Sequence, residues 1–179
     1  MFWALLAALT VIRLFLAASV PLTPDEAYYW VWSRNLQPGY LDHPFMVALW
    51  IRVGTWIAGN TPLGVRLLGP LSVLPGSWAL YQAARRLLPS SPWPDSGLKA
   101  ALVLNATLML GLGAATMTPD TPLLFFITLF LYTLSRAVDP ELKPRTALPW
   151  WIASGLLLGL AFDSKYTAVL IGVGLGGDV

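Results

Sequence analysis

Three short polar segments interrupt an otherwise apolar chain, and each carries a carboxylate. They are Thr23-Pro24-Asp25-Glu26-Ala27-Tyr28-Tyr29-Trp30, Gly39-Tyr40-Leu41-Asp42-His43-Pro44 and Thr118-Pro119-Asp120-Thr121-Pro122. A carboxylate in such a place can take a proton, orient a substrate hydroxyl or hold a cation. It is also costly near lipid: at the centre of a spanning helix one Asp costs about 2.5–3.5 kcal/mol on insertion scales. Here each lies where a hydrophobic run stops. That is where a membrane-embedded enzyme can keep charge beside lipid and still reach water.

Composition sets the solvent. The chain is 56% hydrophobic and 11% charged, with a mean hydropathy of +0.65. A soluble globular domain carries about 25% charged residues, so the sequence reads as an integral membrane protein. A net charge of +2 leaves no nucleic-acid footprint. Cysteine is absent, which excludes a disulfide framework, a thiolate metal site and a cysteine nucleophile. Nine Trp and six Tyr, many at the ends of apolar runs, suit interfacial anchoring.

The elements that must position the three acids follow from the apolar runs. Residues 2–20 are long enough to span a hydrocarbon core. With no basic residue ahead of the run and Arg13 inside it, an uncleaved helix is favoured over a signal peptide, despite Ala17-Ala18-Ser19. An extracytoplasmic interfacial segment, 22–61, follows. In it Thr23, Pro24 and Glu26 form a capping box that starts a helix running through Trp32. Gln37-Pro38-Gly39 breaks that helix, and a second is expected from Phe45 to Ile57, ended by Gly59-Asn60. Further spans are expected over about 63–88, 98–117, 123–138, 150–162 and 166–177, the last two joined at Asp163-Ser164-Lys165. The fold class is an all-α integral membrane bundle.

Loop charges set the sidedness. Arg85, Arg86, Lys99, Arg136, Lys143 and Arg145 fall on one side of this topology, while Arg34 and Arg52 fall on the other and Arg66 stands at a helix entrance. The positive-inside rule makes the first side cytoplasmic, together with the N-terminus. Asp25, Asp42 and Asp120 then share the extracytoplasmic side.

These residues carry a resemblance. Pro24-Asp25-Glu26-Ala27-Tyr28-Tyr29-Trp30, Gly39-Tyr40-Leu41-Asp42-His43-Pro44, Gly64-Val65-Arg66-Leu67, Thr118-Pro119-Asp120 and Ser164-Lys165-Tyr166-Thr167 resemble, in that order, the lipid-linked-sugar glycosyltransferases of the GT-C fold. Within them the similarity is to the group of families 39 and 83, which holds protein mannosyltransferases, aminoarabinose transferases and galacturonosyltransferase-like proteins. It covers nearly all of this chain but only the N-terminal part of the family's usual length. The resemblance therefore implies an N-terminal fragment, inactive alone. It also implies a GT-C multi-helix bundle in the bacterial inner membrane and a site facing the periplasm or exterior. The donor would be a polyprenyl-phosphate sugar; the hydroxyl acceptor could be a lipid, a glycan or a protein.

Residue roles implied by the resemblance sit beside simpler ones. Asp25 matches the catalytic base that takes the acceptor's proton; the alternative is a carboxylate complementing the helix dipole. Glu26 reads as the closing member of the capping box. His43 occupies the segment that holds a basic residue near the donor phosphate, or else hydrogen-bonds at a helix start. Asp42 joins it in substrate binding, and the two could also hold a divalent metal, the one cofactor the sequence leaves open. Asp120 is a second acidic site residue or a helix N-cap. Lys165, with Tyr166, would bind phosphate; snorkelling is the alternative. Asp163 stands where relatives have an apolar residue and could pair with Lys165. Arg66 would bind phosphate or anchor its helix. Tyr28, Tyr29 and Trp30 read as interfacial aromatics rather than sugar-stacking ones.

A transporter and a non-catalytic membrane subunit are the rival classes. Gly-interrupted apolar segments and intramembrane charges also mark transporters. No internal repeat is visible, however, and the long polar excursion after the first helix fits an enzyme better.

Overall fold

A computed structural model describes residues 1–89, 95–107 and 113–176. Among them the regular elements are helices, with one isolated bridge between Gly39 and Pro44. The all-α expectation is met. Helix α1 (Phe2–Ser19) buries Leu6, Thr10, Arg13 and Ala17, a single face at helical spacing. Helix α2 (Pro24–Arg34) begins with the expected capping box: the Glu26 N–H donates to Thr23 Oγ1 at 3.3 Å and the Thr23 N–H to Glu26 Oε2 at 2.9 Å. Helix α3 (Met46–Ala58) lies one residue beyond its expected bounds.

Gly59 ends α3 at φ +73°, a conformation that strains any residue with a Cβ. The chain reverses into α4 (Pro62–Arg66), capped by Thr61 Oγ1, which accepts from the Gly64 N–H at 3.0 Å. The reversal is tight. A Cβ on Gly54 would strike the Gly64 carbonyl, and one on Gly64 would strike the Gly59 carbonyl. Two glycines thus let α3 and α4 touch backbone to backbone.

Helix α5 (Leu68–Leu87) is the centre of the bundle. Helix α6 (Ser96–Ala106) returns antiparallel to it, with Asn105 Nδ2 donating to Ser77 Oγ at 2.8 Å. Helix α7 (Asp120–Ala137) runs parallel to α5. Gly69 faces Thr121, Gly76 faces Thr128, the Trp78 and Tyr132 rings meet at 5.1 Å, and Arg86 reaches Asp139 at 3.7 Å. Helix α8 (Pro144–Phe162) runs back along α7, where Ser154 Oγ donates to Thr133 Oγ1 at 3.0 Å. A short turn at Tyr166–Ala168 leads to α9 (Val169–Gly176).

Several boundaries differ from expectation. Helix α7 starts at Asp120 rather than 123, because the turn residues wind straight into the helix. Helix α8 starts at Pro144 rather than 150: Pro is well placed at a first helical position, so polar Pro144–Thr146 form the first turn ahead of the apolar run. The expected 98–117 span stops early: α6 ends at Ala106, capped by extended Thr107, and Gly113–Ala115 forms only a short 3-10 turn. Of the expected 166–177 span, Tyr166–Ala168 is likewise a turn, while residues 108–112 and 177 lie outside the described residues. By length and composition, two described helical runs suffice to cross a membrane: Phe2–Ser19 and Pro62–Leu87.

These pairings sort the charges. The C-terminal end of α1, the start of α2, Arg66, the starts of α5 and α7 and the end of α8 gather at one end of the bundle. Arg85, Arg86, Lys99, Arg136, Lys143 and Arg145 gather at the other. The first end is closed by a core of Tyr29, Trp32, Met46, Val47, Ala48, Trp50, Ile51, Val65 and Met117. Helices α2 and α3 are packed into that core through one face each.

Candidate active site

The site grows out of the α2 cap. Asp25 is the second residue of α2, exposed beside the positive end of the helix dipole. One turn on, Tyr29 is 9% exposed. Burial pushes its phenol above the usual range, and the charges of Asp25, Asp42 and Asp120, with the Tyr28 phenol, push it further.

Asp42 and His43 arrive on a small hairpin. The Tyr40 N–H donates to the His43 carbonyl at 3.0 Å, inside the Gly39–Pro44 bridge. The Tyr40 ring stacks on Trp32 at 4.3 Å and 1°. Its hydroxyl donates towards the Trp32 carbonyl at 2.9 Å and accepts from the Gln37 N–H at 3.2 Å. So placed, the Asp42 carboxylate accepts from the Tyr28 hydroxyl at 3.4 Å, and the His43 ring meets the Tyr29 ring edge-on at 6.1 Å.

Asp120 and Lys165 meet across the bundle. Lys165 Nζ donates to both oxygens of Asp120, at 2.8 and 2.9 Å. The sequence-based pair of Lys165 with Asp163 does not form. Asp163 caps the end of α8, and its carbonyl accepts from the Met46 N–H at 3.2 Å, while extended backbone at Lys165 carries the lysine towards α7. Tyr166 packs on Phe162, and its hydroxyl comes to rest beside Gly39 of the hairpin.

Arg66 corrects a second expectation. It is 1% exposed, and all five of its N–H donors are used within the protein. Nε donates to Glu26 Oε1 at 2.6 Å and one terminal nitrogen to Glu26 Oε2 at 2.6 Å. The rest go to the carbonyls of Ala17 at 3.2 Å, Val20 at 2.7 Å and Pro21 at 2.9 Å, the otherwise orphaned end of α1. No donor is left for a phosphate, so Arg66 anchors rather than binds. Glu26 in turn accepts from the Met117 N–H at 2.9 Å. Burial pushes its carboxyl up. The Arg66 hydrogen bonds, the Thr23 and Met117 N–H groups and the Arg66 charge outweigh burial and hold it below the ordinary carboxylate range. Sequence reasoning found the cap but missed this pair; its one linear signal was a lone Arg just after the Thr61-Pro62 helix start. Among the described residues no three His, Cys, Asp or Glu side chains group as a metal site.

Asp25, Asp42 and the Asp120–Lys165 pair thus stand together at one end of the helical bundle, opposite the basic loops. Residues 42–176 match the family described as dolichyl-phosphate-mannose-protein mannosyltransferase, and the chain belongs to that family. It is 33% identical over 148 residues to the lipid A galacturonosyltransferase RgtD of Rhizobium johnstonii, covering 82% of this chain and 29% of that protein. It is 28% identical over 167 residues to the undecaprenyl phosphate-alpha-4-amino-4-deoxy-L-arabinose arabinosyl transferase 1 of Pseudomonas fluorescens, covering 84% and 28%. The fold matches ArnT from Cupriavidus metallidurans, solved bound to undecaprenyl phosphate, with a TM-score of 0.71 at 24% identity, covering 90% of this chain and 32% of that one. The apo ArnT structure gives a TM-score of 0.70. The fold is therefore of the GT-C type, and the chain is an integral membrane protein. It spans about a third of the length of these relatives.

Proposed function

We propose that this chain supplies acceptor-activating and phosphate-binding groups to a multi-pass glycosyltransferase that moves a sugar from polyprenyl phosphate to a hydroxyl. The gathering of Asp25, Asp42 and Asp120 at one end of the bundle, with the Tyr28 hydroxyl on Asp42 and Lys165 on Asp120, carries this reading. The acidic end faces the periplasm or exterior, because the opposite end holds the basic loops that the positive-inside rule assigns to the cytoplasm. The donor assignment rests on the relatives named above; the acceptor is any hydroxyl that reaches Asp25.

In the reaction, the acceptor O–H gives its proton to the Asp25 carboxylate while its oxygen lone pair forms the bond to the anomeric carbon. The bond from that carbon to the phosphate oxygen breaks, and its electron pair leaves on the phosphate. Lys165, one salt-bridge exchange away from Asp120, takes the charge that develops there. His43 is the second candidate contact for that phosphate, and Asp42, Asp120 and Tyr166 orient the sugar or acceptor.

Asp25→Asn tests the assignment. In the full-length gene product, transfer from a labelled polyprenyl-phosphate sugar should fall about 10²–10⁴-fold, the loss typical of a general base. Donor binding should persist. Near wild-type turnover would remove Asp25 from the mechanism.

A further inference from the structure

Glu26 and Arg66 lie outside the reacting groups, yet their pair joins the segments that carry Asp25 and Asp120. Glu26 is the chain neighbour of Asp25. Its Oε1 holds the Met117 N–H, three residues before Asp120, and its Oε2 closes the α2 cap on Thr23. Arg66 fixes that carboxylate from two directions and seals the end of α1 with its remaining donors. Glu26 is fully buried, so no water can replace a partner that moves.

We propose that Glu26 and Arg66 are positioning residues whose buried ion pair sets the placement of Asp25 relative to Asp120. This rests on the reading of those two acids as site residues. The chemistry needs both charge and fork. A glutamine at 26 would turn an NH₂ towards the Arg66 donors or the Met117 N–H, donor against donor. A lysine at 66 keeps the charge, but its three donors cannot hold both carboxylate oxygens and the Ala17, Val20 and Pro21 carbonyls at once.

The chain's lack of cysteine makes a local distance measurable. Spin labels at Ala27→Cys and Thr118→Cys report the separation of α2 from the segment before α7. A control pair at Leu88→Cys and Glu141→Cys reports the opposite end. In reconstituted protein the first pair should give one narrow distance distribution by EPR. Glu26→Gln and Arg66→Lys should broaden or shift it while the control pair stays unchanged. An unchanged first pair overturns the proposal, and so does equal broadening at both ends, which would mean general loosening. Should Glu26→Gln fail to fold, Glu26→Asp keeps the charge with a shorter reach and is read in the same way.

Kinetics give the second arm. In the full-length gene product either variant should lower kcat by about 10²-fold, the cost of a small misplacement, with donor KM unchanged. A raised KM with unchanged kcat contradicts positioning. Retained transfer in Asp25→Asn would instead defeat the functional reading, and the EPR result would stand apart from it.

Discussion

The two acid–base pairs at the acidic end have the same charges and opposite characters. Arg66 and Glu26 are 1% and 0% exposed, and every donor of the guanidinium is matched by an oxygen of the protein. Lys165 and Asp120 are 30% and 25% exposed, and the ammonium donates to the two oxygens of that one carboxylate. A buried, saturated pair can only hold. A hydrated ammonium bound to one partner can trade it for another anion at little cost, because water shares the exchange. Burial and donor count, more than charge, separate an anchor from a binding group.

Breaking the first pair should give the largest effect. Arg66→Ala leaves the Glu26 charge buried and unpaired, so thermal and denaturant unfolding in detergent should show a loss of about 3–5 kcal/mol. Its pH dependence sharpens the point. Glu26 is held below the unfolded carboxyl value of about 4.3, so its contribution is fully present above that value and is lost as pH falls through the lower folded one. Acid unfolding of Glu26→Gln should therefore be flatter in that window than that of the parent.

Gly64→Ala should come next, at about 1–3 kcal/mol, since its Cβ meets the Gly59 carbonyl and pushes α4, with Arg66, out of register. Lys165→Gln should change stability least, by no more than about 1 kcal/mol. Its effect should appear instead in weaker binding of a polyprenyl phosphate to the full-length gene product. A large stability loss in Lys165→Gln would erase the contrast between the pairs.

The sequence showed what short range controls. The α2 cap was legible because Thr23, Pro24 and Glu26 stand at fixed helical offsets. The apolar runs exposed the membrane class, and the distribution of Lys and Arg separated two ends that the helix pairings also separate. Partner choice was not legible. Glu26 lies 40 residues from Arg66 and Lys165 lies 45 from Asp120, and no periodicity connects positions brought together by bundle packing. The nearer candidate, Asp163, lost Lys165 because the end of α8 and the extended backbone after it set directions that spacing alone does not show. Arg66 reads on paper like any cation beside a membrane; only its saturated environment removes it from the phosphate-binding set.

The Trp32–Tyr40 stack has an entropic consequence. Fixing the backbone of one loop residue costs about 1–2 kcal/mol. The stack, the Tyr40 hydroxyl and the Gly39–Pro44 bridge meet that cost for the hairpin during folding. A molecule that meets Asp42 and His43 finds a loop already ordered, so none of its contact energy is consumed in arranging the hairpin.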